Sequence, residues 1–211
     1  MSQSSEAPPI VLISGWAMPA MAMESLATAL DKGHRRVSVI ELPGLVQVGD
    51  SAGDQNIHWE GLLTYLDQQL FEKPAVLVGW SMGGVLASLY ASRHPGNVAA
   101  VVNLATNACF VKNAQWTAAM APELFFGFQA GVSKHCLKTL QQFTLLCSVG
   151  SINRYERAKA LQSLLRDIQA ETELELGILQ ALLTLLGSSD IRSALADICC
   201  PVSHILGQDD A

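Results

Sequence analysis

The sequence predicts an α/β fold: a mostly parallel sheet with helices on both faces and a helical insertion before its last visible strand. Three observations predict it. Short aliphatic and β-branched runs alternate with helical segments from Ile10 to Leu104. From about Gln115 to Ile191 there is no strand pattern, only helical spacing. A strand pattern then returns over Pro201 to Leu206.

The elements follow in chain order. Met1 to Pro9 is a polar, proline-bearing lead-in. Ile10-Val-Leu-Ile-Ser14 is a buried strand that Gly15 closes. Glu24 to Leu30 has helical spacing, with Gly33 placed to cap it. Arg36 to Glu41 is a second strand, ended by Leu42-Pro43-Gly44, and residues 46–55 form a Gly- and Asp-rich loop. Ile57 to Phe71 is helical, Ala75 to Val78 a third strand, Met82 to Arg93 a helix stopped by Pro95-Gly96, and Val98 to Leu104 a fourth strand. Further helices are expected over about 115–130, 134–148, 154–169 and 172–187. The chain divides into the first part of a core (1–114), a helical cap (115–191) and a return to the core (192–211).

Composition narrows the function. The chain has 211 residues, half of them hydrophobic, which suffices for one substantial buried core. Its net charge is −6, which argues against nucleic acid as a partner, since phosphates need a positive surface. Five cysteines, none at CxxC spacing, suit neither a metal site nor a disulfide framework. No Lys or Arg precedes Lys32, so a signal peptide's basic start is missing, and no apolar run is long enough to span a bilayer. The expectation is a cytoplasmic monomer that needs no membrane, metal or organic cofactor.

The chemistry centres on Gly79-Trp80-Ser81-Met82-Gly83-Gly84. This G-x-S-x-G follows the third strand directly and opens a helix. That is the setting of a nucleophile elbow, in which a tight turn lifts the serine hydroxyl above the sheet edge. Ser81 is therefore the candidate nucleophile. The N–H of Met82, at the positive end of its helix, is one candidate oxyanion donor. The N–H of Trp16, in the loop after the first strand, is the second. Asp210 follows the returning strand at G-x-x-D spacing from Gly207 and is the candidate triad acid, chosen over Asp209. In this fold the order is Ser, then Asp, then His. His34, His58, His94, His135 and His204 all precede Asp210. The base is expected after Ala211, together with one more helix, strand and closing helix.

With these residues the chain resembles the pimeloyl-[acyl-carrier protein] methyl ester esterases of biotin synthesis, within the α/β-hydrolase superfamily. The likeness runs from about Ile10 to Ala211. Its most specific stretches are Gly79 to Gly84, Leu104 to Phe110, and Phe128 to Gly150 with Gln142-Phe143. The resemblance implies hydrolysis of the methyl ester on a carrier-bound pimeloyl chain. It also implies that Trp16, Trp80 and Phe143 line the acyl site. Ser14 stands where many relatives have histidine, and Gln142 where a basic carrier contact is expected.

Charge distribution adds to the carrier reading. Residues 110–170 hold seven basic and three acidic side chains, in a chain whose total is −6. A basic segment on an acidic body suits an acidic partner such as acyl carrier protein. Lys138, Arg154, Arg157 and Lys159 are the candidate contacts. Two other readings stay open: a general esterase or lactonase of small substrates, and a non-catalytic binding protein on the same fold.

Overall fold

The computed structural model describes residues 7–31, 36–44, 57–171 and 176–208, with only the backbone of 167–171. His34, Asp209 and Asp210 lie outside the described residues. Five strands form one sheet: β1 (Ile10–Ile13), β2 (Val37–Ile40), β3 (Ala75–Trp80), β4 (Val98–Leu104) and β5 (Val202–Ile205). Their spatial order is β2-β1-β3-β4-β5, and every pairing is parallel. Parallel neighbours need crossovers, and the helices supply them. These are α1 (Glu24–Leu30, after a 3₁₀ turn over Ala20–Met23), α2 (Trp59–Gln69) and α3 (Met82–Arg93).

Side-chain alternation along the strands builds two clusters. Val11, Ile13, Ala75, Leu77 and Val101 join Leu62, Leu66, Val85 and Leu86 of α2 and α3 in the larger one. Ile10, Leu12 and Val78 meet Met23 and α1 in the smaller. Helix α3 runs through the densest part: every residue from Met82 to Ala91 is buried. Removing a fully buried leucine such as Leu77 or Leu86 costs about 2–5 kcal/mol.

Between β4 and β5 lie α4 (Pro122–Cys147), α5 (Arg154–Glu171), α6 (Leu176–Gly187) and the short α7 (Arg192–Ala196). Two sequence expectations change here. Residues 115–121 are not helical: Asn113 and Trp116 exchange backbone hydrogen bonds, and Lys112 N–H bonds Met120 O at 2.9 Å. Trp116 is held in that loop by its indole N–H, which donates to Asn107 Oδ1 at 2.9 Å. The helix starts only at Pro122, whose fixed φ suits a first helical position. The two segments expected over 115–130 and 134–148 are joined in α4, broken at His135 (φ −146°, ψ 56°). Leu179, Leu182, Leu183 and Leu186 of α6 are buried in the larger cluster, so these helices share the core of the sheet. Among the described residues no helix is long and apolar enough to cross a membrane.

Candidate active site

Strand β3 continues through Gly79 and Trp80, and the chain turns at Ser81 into α3 within one residue. Ser81 has φ 53° and ψ −117°. Such a conformation costs a non-glycine residue on the order of 1–3 kcal/mol, so its surroundings must enforce it. They do. Ser81 N–H donates to Leu104 O at the end of β4 (2.8 Å). Ser81 O accepts from Gly84 N–H (3.0 Å), from Val85 N–H (3.2 Å) and from the hydroxyl of Thr106 (3.1 Å).

The glycines around the turn are required by crowding. A Cβ on Gly79 would lie 2.3 Å from Gly84 N and 2.4 Å from Gly83 O. One on Gly83 would lie 2.4 Å from Ile13 O and 2.5 Å from Ser14 O. The elbow is therefore pressed against the end of β1. On the other side, a Cβ on Gly15 would sit 3.5 Å from Ser81 Cβ, so the loop after β1 borders the serine directly. Trp16 follows in a turn closed by Met18 N–H to Gly15 O (3.2 Å), with Ala17 at φ 53°. The N–H of Met82 opens α3, so it carries the helix's partial positive charge beside Ser81.

Trp16 is 2 % exposed and fastened from outside the sheet. Its indole N–H donates to Leu179 O of α6 at 2.8 Å. Phe128 and Phe143 of α4 each meet its ring edge-on at 5.5 Å between centroids. The sequence pointed to Phe143 but not to Phe128, which touches both Trp16 and Phe143. Trp80 is not with them. Its side chain packs against the Ile10, Leu12, Met23 and Val78 cluster on the other side of the sheet. Glu41, at the end of β2, accepts from Ala20 N–H at 2.5 Å and so ties down the segment after Trp16. Its other oxygen is buried with no hydrogen-bond partner among the described residues. Burial pushes the Glu41 carboxyl up, and the Ala20 amide draws it part of the way back.

The described histidines each have a local place. His58 caps α2, its Nδ1 accepting from Gly61 N–H at 3.0 Å. His94 ends α3 and stacks on Tyr90. His135 sits at the break in α4. His204 is exposed on β5. Lys138 on α4 and Arg154, Arg157 and Lys159 on α5 are all exposed. Around them the surface is also apolar: Leu137, Leu146, Ile152 and Tyr155 are exposed.

The two chain segments joining α4–α6 to the sheet are bound to each other. Ile191 N–H donates to Ala108 O at 2.9 Å, and Cys109 bridges to Asp190. Arg192 holds the Asp190 carboxylate at 2.6 Å, reaches Gln115 Oε1 at 3.1 Å and covers the Trp116 ring. The Arg192 guanidinium, followed by its backbone N–H, keeps the Asp190 carboxyl far below its ordinary value of 3.8. A carboxyl lowered on folding adds stability above its unfolded pKa and loses it as pH falls toward the folded value. Asp190→Asn is thus expected to melt below the unmutated protein at pH 7, with the gap shrinking below about pH 4. Thermal melts across pH measure this, and a pH-independent gap would refute the ion pair's role.

Comparison with known proteins adds four findings. The family described as "alpha/beta hydrolase fold" matches residues 8–146. A pimeloyl-[acyl-carrier protein] methyl ester esterase of Klebsiella pneumoniae (strain 342) is 30% identical over 204 residues, covering 95% of this chain and 75% of the relative. One of Proteus mirabilis (strain HI4320) is 29% identical over 201 residues, covering 95% and 74%. Among solved structures, an esterase from Exiguobacterium antarcticum superposes with a TM-score of 0.77 at 17% identity, over 94% of this chain and 72% of that one. At that identity the likeness speaks for the fold.

Proposed function

The chain belongs to the α/β-hydrolase fold family and, within it, to the pimeloyl-[acyl-carrier protein] methyl ester esterases, and from that premise we propose how its residues carry out the reaction. It is a serine carboxylic-ester hydrolase that removes the methyl group from a carrier-bound pimeloyl ester in biotin synthesis. The observation that carries this reading is Ser81 at φ 53° between strand and helix, with Gly15 against its Cβ.

Ser81 Oγ attacks the ester carbonyl carbon, forming a tetrahedral centre whose oxygen takes the negative charge. The N–H groups of Met82 and Trp16 face that oxygen. They matter more there than on the ground-state carbonyl, because charge develops only as the bond forms. A histidine takes the serine proton, returns it to the departing methanol, and then activates the water that releases the acid. Asp210 holds that histidine in the required tautomer. Trp16 and Phe143, already in contact, form one wall for the acyl chain. Trp80, implied by the resemblance as a third lining residue, packs on the opposite face of the sheet and takes no part in this wall. No metal or organic cofactor enters these steps.

The acidic carrier docks on the basic residues Lys138, Arg154, Arg157 and Lys159, and the protein works as a cytoplasmic monomer. All four side chains are exposed and lie on α4 and α5; α4 packs on α6, whose Leu179 O anchors Trp16. Charge reversal at Lys138 and Arg157 together should raise KM for the carrier-bound methyl ester roughly tenfold or more, through the loss of close charge pairs and steering. Turnover of a p-nitrophenyl ester by the same full-length variant should not change. Equal effects on both substrates would favour a general small-ester hydrolase instead.

A further inference from the structure

The peptide group between Ser81 and Met82 carries two functions at opposite ends. Its carbonyl belongs to the nucleophile, and its N–H is the oxyanion donor that the proposed mechanism uses. A trans peptide is planar, so the two ends point in opposite directions and neither can turn without the other. Whatever holds Ser81 O therefore aims Met82 N–H.

Three donors hold Ser81 O: Gly84 N–H, Val85 N–H and the Thr106 hydroxyl. The first two belong to α3 and move with Met82. Thr106 does not. It lies two residues beyond β4, is 5 % exposed, and sits next to Ala105 at φ 47°. Its hydroxyl lies 3.1 Å from Ser81 O and 3.1 Å from Leu104 O, its one proton shared between them. Leu104 O in turn accepts from Ser81 N–H. Of these donors Thr106 alone thus ties the donor-bearing peptide to the sheet. The room for it is left by Gly84, where a Cβ would come within 2.1 Å of the Thr106 oxygen.

We infer that Thr106 is a positioning residue of the esterase: its hydroxyl fixes the Ser81–Met82 peptide plane and so points the Met82 N–H at the developing oxyanion. It touches neither substrate nor the reacting atoms, and it acts through Met82. The inference rests on Ser81 being the nucleophile, but not on the identity of the acyl carrier.

The test uses the full-length protein with a p-nitrophenyl ester, so carrier docking plays no part. Loss of a whole oxyanion donor costs roughly a hundred- to a thousandfold in kcat, and a misaimed one costs less. Thr106→Val, nearly isosteric but without the hydroxyl, should lower kcat on the order of tenfold with KM about unchanged. Its affinity for a trifluoromethyl ketone, which forms a tetrahedral adduct on serine, should fall by the same factor. Thr106→Ser keeps the hydroxyl and should restore both. Should the valine variant fail to fold, Thr106→Ala is measured against the same criteria. A kcat close to the unmutated value in the folded variant, or a serine variant as impaired as valine, would overturn the inference. Loss of all activity in Ser81→Ala establishes the nucleophile independently, so a failure here would not be confused with a failure there.

Discussion

Ser81→Ala in the full-length protein should reduce ester hydrolysis by roughly a millionfold, the scale seen when the nucleophile of a serine hydrolase is removed. The fold should survive. The contacts that hold the turn run through the backbone N–H and C=O of residue 81, and alanine keeps both. Alanine also takes a positive φ elsewhere in the chain, at Ala17 (φ 53°) and Ala105 (φ 47°). The substitution therefore separates chemistry from structure cleanly. Hydrolysis of a p-nitrophenyl ester and a thermal melt are sufficient. Turnover above roughly a hundredth of the unmutated rate would mean that water is activated without a covalent intermediate, and the assignment of Ser81 would fall.

The second large effect is structural. Gly83→Ala should destabilise the protein by about 3 kcal/mol or more, the upper range for overpacking, which in a chain of this size lowers Tm by roughly 6–12 °C. The added methyl would meet Ile13 O at 2.4 Å and Ser14 O at 2.5 Å. Both are backbone atoms of β1 and the loop after it, so no rotamer change relieves the overlap. Relief requires α3 to move away from β1, which would also carry Met82 away from Trp16. Activity and stability should fall together. Gly127→Ala is the control: nothing lies within 4 Å of its added Cβ, and it sits within α4. There alanine should stabilise by up to about 1 kcal/mol through helix propensity. Calorimetry of both variants gives the comparison, and a Gly83→Ala melt no lower than that of Gly127→Ala would contradict the crowding argument.

Much of this architecture was legible in the residues because it follows from short-range rules. Alternating strand and helix patterns up to Leu104 gave the parallel sheet. The elbow was legible because a serine between glycines, after an apolar strand and before a helix, leaves few other arrangements. The loop over 115–121 was not legible. Its composition allows a helix, and what prevents one is Trp116 bonding to Asn107 beneath Arg192, from across the fold. The break at His135 carries no glycine or proline to announce it. Thr106 escaped notice for a similar reason: a lone threonine after a strand has no motif, and its role appears only once β3 and β4 are adjacent. Trp16 is legible as a backbone donor and, by resemblance, as a lining residue; the indole bond to Leu179 O is not, since that carbonyl lies 163 residues away.

That long-range bond bears on how substrate range in this protein can change. In the proposed mechanism Trp16 presents its amide to the reaction, and in the structure its indole meets α4 and α6. Remodelling α4 or α6 to admit a different acyl chain is therefore not a change of container alone. A graft that lacks an acceptor at the height of Leu179, or aromatic neighbours like Phe128 and Phe143, would release the tryptophan and slacken the catalytic loop beneath it. Selectivity and rate are mechanically linked here, and redesign of one has to preserve a socket for the other.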